Sequence, residues 1–136
     1  MPNENSQRLI KAERLCSKKL IEELFNKGTV KKFGKTRFHY LPVSREITGF
    51  HQVLFSVPGR LFKKASDRNR IRRQLRESYR RNKSILYTNN ERGFSYLLAY
   101  VYISSYAPVW KELERQVIAS INYIVTKDKK NNEPPD

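Results

Sequence analysis

Cysteine is almost absent. Cys16 stands alone, which excludes an intramolecular disulfide and the clustered Cys/His spacing of a structural zinc site, and fits a reducing compartment. Long apolar runs are missing too: no stretch approaches the ~20 residues that span a bilayer. The opening MPNENSQRL lacks the apolar centre of a secretory signal, so a cytoplasmic, membrane-free protein is expected. Acids are scarce, thirteen against twenty-eight Lys and Arg, and those in Glu22, Glu23, Glu112 and Glu114 fall on expected outer helix faces. Nothing in that pattern converges as the carboxylates of a two-metal hydrolytic centre must. The only histidines, His39 and His51, have no companion at metal or triad spacing, so structural roles are expected for both.

Positive charge is present in excess. The formal net charge is +15 with a pI near 10.1, which calls for a polyanionic partner. Between Arg60 and Lys83 lie eleven Lys or Arg and two acids, so one segment carries more than half of the excess. At helical spacing Ile71, Leu75 and Tyr79 form a narrow apolar stripe, while Asn69, Arg72, Arg73, Arg76 and Arg80 occupy the remaining flanks. A helix lying in a membrane interface needs a broader apolar face, and nucleic acid is the better-matched partner. Ser66 or Asp67 is the expected N-cap, with the helix starting near Asp67.

The 136 residues are the size of one domain. Residues 1–8 and the tail from Lys127 to Asp136 are polar and expected to be disordered, leaving a single domain over 9–126. Leu20, Ile21, Leu24 and Phe25 predict a first helix capped by Ser17 and ended by a left-handed Gly28. Val30 to Val43 alternates as one half-exposed strand, with Phe38 and Tyr40 on one face and Arg37, His39 and Leu41 on the other; Pro42 places its end at an edge or terminus. Phe50 to Val57 reads as the next strand, and SILYTNNERG after the basic segment as a loop. Phe94 to Ser104 reads as a strand buried on both faces. Pro108 fits a first helical position, followed by a core stripe through Trp110, Leu113, Val117, Ile121 and Ile124.

The run from Ala65 to Glu77, AxxRNRIRRxLRE, closely resembles the signature of the bacterial ribonuclease P protein subunit. ERLCSKKLIEELFNKG, with Phe25 and Gly28 in register, and the strand before APVWKELERQV extend the resemblance over about residues 13–125. It implies an α/β (α+β) two-layer sandwich: a central, mostly antiparallel sheet with helices packed on it, in the order α-β-β-(β)-α-β-α. The implied βαβ crossover is left-handed, against the general right-handed rule. It also implies a ribonucleoprotein that removes the 5′ leader of precursor tRNA, in which the RNA holds the catalytic centre and the polypeptide contributes no catalytic residue. The implied partners are the ribonuclease P RNA and precursor tRNA, with no protein partner; magnesium enters through the RNA and no cofactor or metal is held by the protein.

On that resemblance Lys63, Lys64, Arg68, Asn69, Arg70, Arg72, Arg73 and Arg76 face the catalytic RNA, and Phe25, Phe38 and Tyr40 line a leader-binding cleft between the first helix and the sheet. Two departures stand out: Ile21 occupies a position where a second aromatic is common, and Gly59 one where a Lys is common. A non-catalytic RNA-binding or ribosome-associated module built on the same basic helix is the alternative reading.

Overall fold

A computed structural model describes residues 8–89 and 93–132; of the expected disordered segments, residues 1–7 and 133–136 lie outside that range, as do residues 90–92 of the expected loop. A 3-10 turn at Lys11–Glu13 precedes α1 (Lys18–Lys27), β1 (Thr29–Phe33), β2 (Thr36–Val43), β3 (Gln52–Ser56), α2 (Ala65–Thr88), β4 (Ser95–Tyr102) and α3 (Trp110–Asn132). The strands form one sheet in the order β1-β2-β4-β3. β2 is antiparallel to β1 and β4, whereas β3 and β4 are parallel, with α2 as the connection between them.

The alternation of β2 and β4 builds a core on each face of the sheet. Phe38, Tyr40, Tyr96, Leu98, Tyr100 and Tyr102 pack against Ile71, Leu75 and Tyr79 of α2 and Leu113, Val117 and Ile121 of α3. The intervening residues Val43, Leu97 and Ala99 pack with Leu15 and Leu24, so that α1 adds a partial layer on the opposite face. All eight residues of β4 are buried, as its unbroken apolar and aromatic run predicts.

The segment expected as one strand is a hairpin. Gly34 has φ 59° and sits at the first central position of a two-residue turn, a conformation that glycine adopts without steric cost. Pro42 is tolerated because β1 ends opposite Tyr40, leaving the last residues of β2 without a neighbour on that side. Ser17 caps α1 as expected, accepting the Leu20 amide at 3.3 Å. Gly28 ends it in a different way: its backbone is extended, φ −71° and ψ 160°, and a Cβ there would stand 2.3 Å from the Leu24 carbonyl oxygen. Lack of room, not handedness, demands the glycine.

α2 is longer at both ends than the expected Asp67 start and SILYTNNERG loop allow. Leu86, 1% exposed, extends the apolar stripe by two further turns, and the Thr88 and Asn89 side chains bond to the Ser84 and Ile85 carbonyls to close the helix. α3 begins at Trp110 with the Val109 carbonyl accepting from Leu113, so Pro108 precedes the cap. α3 also continues to Asn132, past the 126 boundary, and Trp110 is only half-buried.

Candidate nucleic-acid interface

The basic helix starts without a side-chain cap. Lys64 is its N-cap, where Ser66 or Asp67 was expected. The Lys64 carbonyl instead takes the amides of Asp67 and Arg68, and Arg68 reaches back to donate to the carbonyls of Phe62, at 2.5 Å, and Lys63, at 3.0 Å. These bonds set the entry of the chain into the helix without using a cap. They leave the amides of Ala65 and Ser66 with no acceptor among the described residues, on the positive end of a long helix.

The eight residues expected against RNA divide into three groups. Asn69, Arg72, Arg73 and Arg76 come together around a cavity of about 360 Å³ floored by half-buried Phe55 of β3. Asn69 Oδ1 accepts from Arg72 Nη2, which holds that guanidinium on the cavity side. Among the described residues no carboxylate lies in salt-bridge range of Arg72, Arg73 or Arg76, and uncompensated guanidinium forks suit phosphate oxygens and base faces. Arg70 stands apart. It lines a cavity of about 190 Å³ with Phe62, Gln74 and Pro108 and meets Asp67 at 3.8 Å. Arg68 serves the loop as described, and Lys63 and Lys64 are exposed beside it. Arg76 also lines a second cavity of about 190 Å³ with Leu9, Arg14, Leu15 and Phe55. Arg14 and Phe55 were not expected here; alternation from buried Val53 would have pointed to Phe55.

The expected three-aromatic cleft is not assembled. Phe25 is 41% exposed on α1 and packs its ring on His39 at 4.6 Å. Phe38 and Tyr40, 0% and 8% exposed, lie on the other face of the sheet, Phe38 against Tyr100 at 4.8 Å. Alternation along β2 sends residues 38 and 40 to the α2/α3 core, and α1 therefore meets His39, Leu41 and Val43. Ile21 packs among the residues beneath α1, and Gly59 is exposed with open space about it. Burial, and then the Arg37 charge, hold the His39 pKa below its ordinary value, so this face presents a neutral imidazole under Phe25 with exposed Arg37 two residues away.

One cation of the basic segment is not available at all. Lys83 is 2% exposed and donates to Glu13 Oε1 at 2.6 Å and to the Arg8 carbonyl at 2.5 Å. Glu13, fully buried, also accepts from the Tyr87 hydroxyl at 2.9 Å and the Ile10 amide at 3.2 Å. The cluster ties the start of the described chain to the C-terminal half of α2. Beside it His51 Nδ1 accepts the Tyr96 amide at 2.9 Å, and burial, then Arg45, lower its pKa to about 3. His51 is therefore a structural neutral imidazole. Among the described residues no three His, Cys, Asp or Glu side chains gather to hold a metal, and no helix is long and apolar enough to cross a membrane.

Residues 9–124 match the family described as Ribonuclease P. A ribonuclease P protein component of Porphyromonas gingivalis is 31% identical over 114 residues, 83% of each chain. Among solved structures, the RNase P protein of Staphylococcus aureus shares the fold: one structure has a TM-score of 0.58 at 18% identity over 88% of this chain and 97% of that one. A second has 0.54 at 17% identity over 95% and 99%.

Proposed function

The chain belongs to the ribonuclease P protein family, and from that premise we propose that it docks on the catalytic RNA through α2 and guides the 5′ leader of precursor tRNA along the α1 face of the sheet. The observation that carries the reading is the group Asn69, Arg72, Arg73 and Arg76 around Phe55: three guanidinium groups with no salt-bridged acid among the described residues, beside an aromatic floor. Such a surface binds phosphates and unstacked bases. The exposed Lys63 and Lys64 and the free amides at the start of α2 widen it. On the other face, Phe25 and Arg37 offer a ring for stacking and a cation for the backbone, neither of which reads sequence, as a variable leader requires.

The hydrolytic step and its magnesium belong to the RNA, and the polypeptide raises affinity for the leader-bearing substrate. The test is reconstitution at low magnesium. Purified protein added to the cognate RNA subunit should restore 5′ cleavage of precursor tRNA, and absence of any rescue rejects the proposal.

A further inference from the structure

The longest acid-free cationic stretch outside α2 is the β1–β2 hairpin. From Lys27 to Val43 there are five Lys or Arg and no Asp or Glu. β1 is an edge strand, paired among the described residues only with β2, and Val30, Lys31 and Lys32 on it are exposed, Val30 by 49%. At its outer side the Tyr123 ring of α3 carries two ammonium groups, Lys31 Nζ at 4.5 Å and Lys127 Nζ at 5.5 Å from its centroid. Among the described residues no carboxylate pairs with Lys27, Lys31, Lys32, Arg37 or Lys127. Two cations held on one ring repel one another, and the ring quadrupole offsets only part of that. An external anion would relieve the remainder of that repulsion.

Pairing register joins this cationic edge to the α1 face. Lys32 lies opposite Arg37 and Val30 opposite His39, so these four share the α1 face, and Phe25 packs on that same His39. An unbroken surface thus leads from Phe25 over Arg37 and Lys32 to the β1 edge, and around it to Lys31, Tyr123 and Lys127. The α2 flank is on the far side, beyond β3, three strand spacings or about 14 Å away. We infer that the β1 edge with Tyr123 and Lys127 extends the leader track and binds the sugar-phosphate backbone of its 5′-distal nucleotides. Lysines suit this role as point charges indifferent to base identity, and the exposed Val30 offers apolar contact to ribose or base. The inference rests on the leader reading above.

The test compares the holoenzyme carrying wild-type protein with one carrying Lys31→Gln, Lys32→Gln and Lys127→Gln. Three substrates are used: precursor tRNA with a leader of about 15 nucleotides, one with about 5, and mature tRNA. The triple variant should bind the long-leader precursor roughly 5- to 10-fold more weakly, with a shallower salt dependence, and bind the other two as wild type does. A control removing the same charge elsewhere, Lys11→Gln, Lys111→Gln and Arg115→Gln, should leave the long-leader preference intact. Equal weakening on all three substrates, or an equal effect from the control, overturns the inference while the leader reading stands. If wild type itself does not distinguish leader-bearing from mature tRNA, the leader reading fails and this inference with it.

Discussion

In its N-terminal half α2 turns Asn69, Arg72, Arg73 and Arg76 toward an open cavity, whereas about two to four turns on, Lys83 is sealed against Glu13, Tyr87 and the Arg8 carbonyl. Both are cations on one amphipathic helix, separated by what the rest of the chain brings to them. Glu13, seventy residues earlier, has already met the charge of Lys83. Among the described residues no acid forms a salt bridge with Arg72, Arg73 or Arg76. A positive charge that the fold leaves unmatched is available to a partner, and one that it matches is part of the fold. Arg68 stands between the two, its guanidinium engaged by the Phe62 and Lys63 carbonyls while half exposed.

The sharpest way to break this comparison is Lys83→Met, which strands the Glu13 carboxylate in the interior and should cost about 3–5 kcal/mol in urea unfolding. Adding Glu13→Gln removes the stranded charge, keeps an acceptor for Tyr87, and should recover part of the loss. Unchanged stability with weakened RNA binding would place Lys83 with the outward group. The mirror experiment is Arg72→Gln with Arg73→Gln and Arg76→Gln. Stability should stay within about 0.5 kcal/mol of wild type, while affinity for the RNA subunit falls roughly 10²-fold at moderate salt and the slope of log K against log salt becomes shallower by about 2 to 3. Loss of the native circular dichroism spectrum would make this flank structural.

The elements that declare themselves in the sequence are those whose signal is local. The Ile71–Leu75–Tyr79 stripe, the continuous β4 run and the Ser17 cap each depend on neighbours within a few residues. What is not legible depends on distant partners. Alternation separates Phe38 and Tyr40 from His39 and Leu41, but with helices on both sides of the sheet it does not say which face is the core. Charge density counts Lys83 with its neighbours because nothing nearby points to Glu13. The Gly34 turn was hidden because Gly-Lys lacks the Asn-Gly or Asp-Gly pair that marks a hairpin most strongly, and the start of α2 at Ala65 because Arg68 and backbone bonds replace the expected cap.

The buried cluster also gives a pH signature that the open flank lacks. His51 has its pKa lowered to about 3 in the fold against ~6.5 when unfolded. Between those values the unfolded chain binds the extra proton, so stability is fully present above about pH 6.5 and is lost as pH falls toward 3, by at most about 1.4 kcal/mol per pH unit for this group. Urea midpoints near pH 7 and near pH 5 read the effect, and His51→Gln should flatten it. An unchanged slope in that variant would assign the loss to other groups, of which His39, also lowered by burial, is the next to replace.

The smallest effect tests the same distinction on aromatic side chains, where matched and unmatched surface stand for paired and unpaired charge. Phe38 is enclosed by Tyr40 and Tyr100, so Phe38→Ala should act through stability and weaken binding of precursor and mature tRNA alike. Phe25 has one face on His39 and is otherwise open. Its truncation should leave the unfolding midpoint nearly unchanged and weaken leader-bearing precursor about 3- to 5-fold, near the low end of one base-stacking contact, with mature tRNA unaffected. Equal weakening on both substrates would mean that Phe25 only shields His39, and the leader contact would then have to rest on Arg37 and the lysines beyond it.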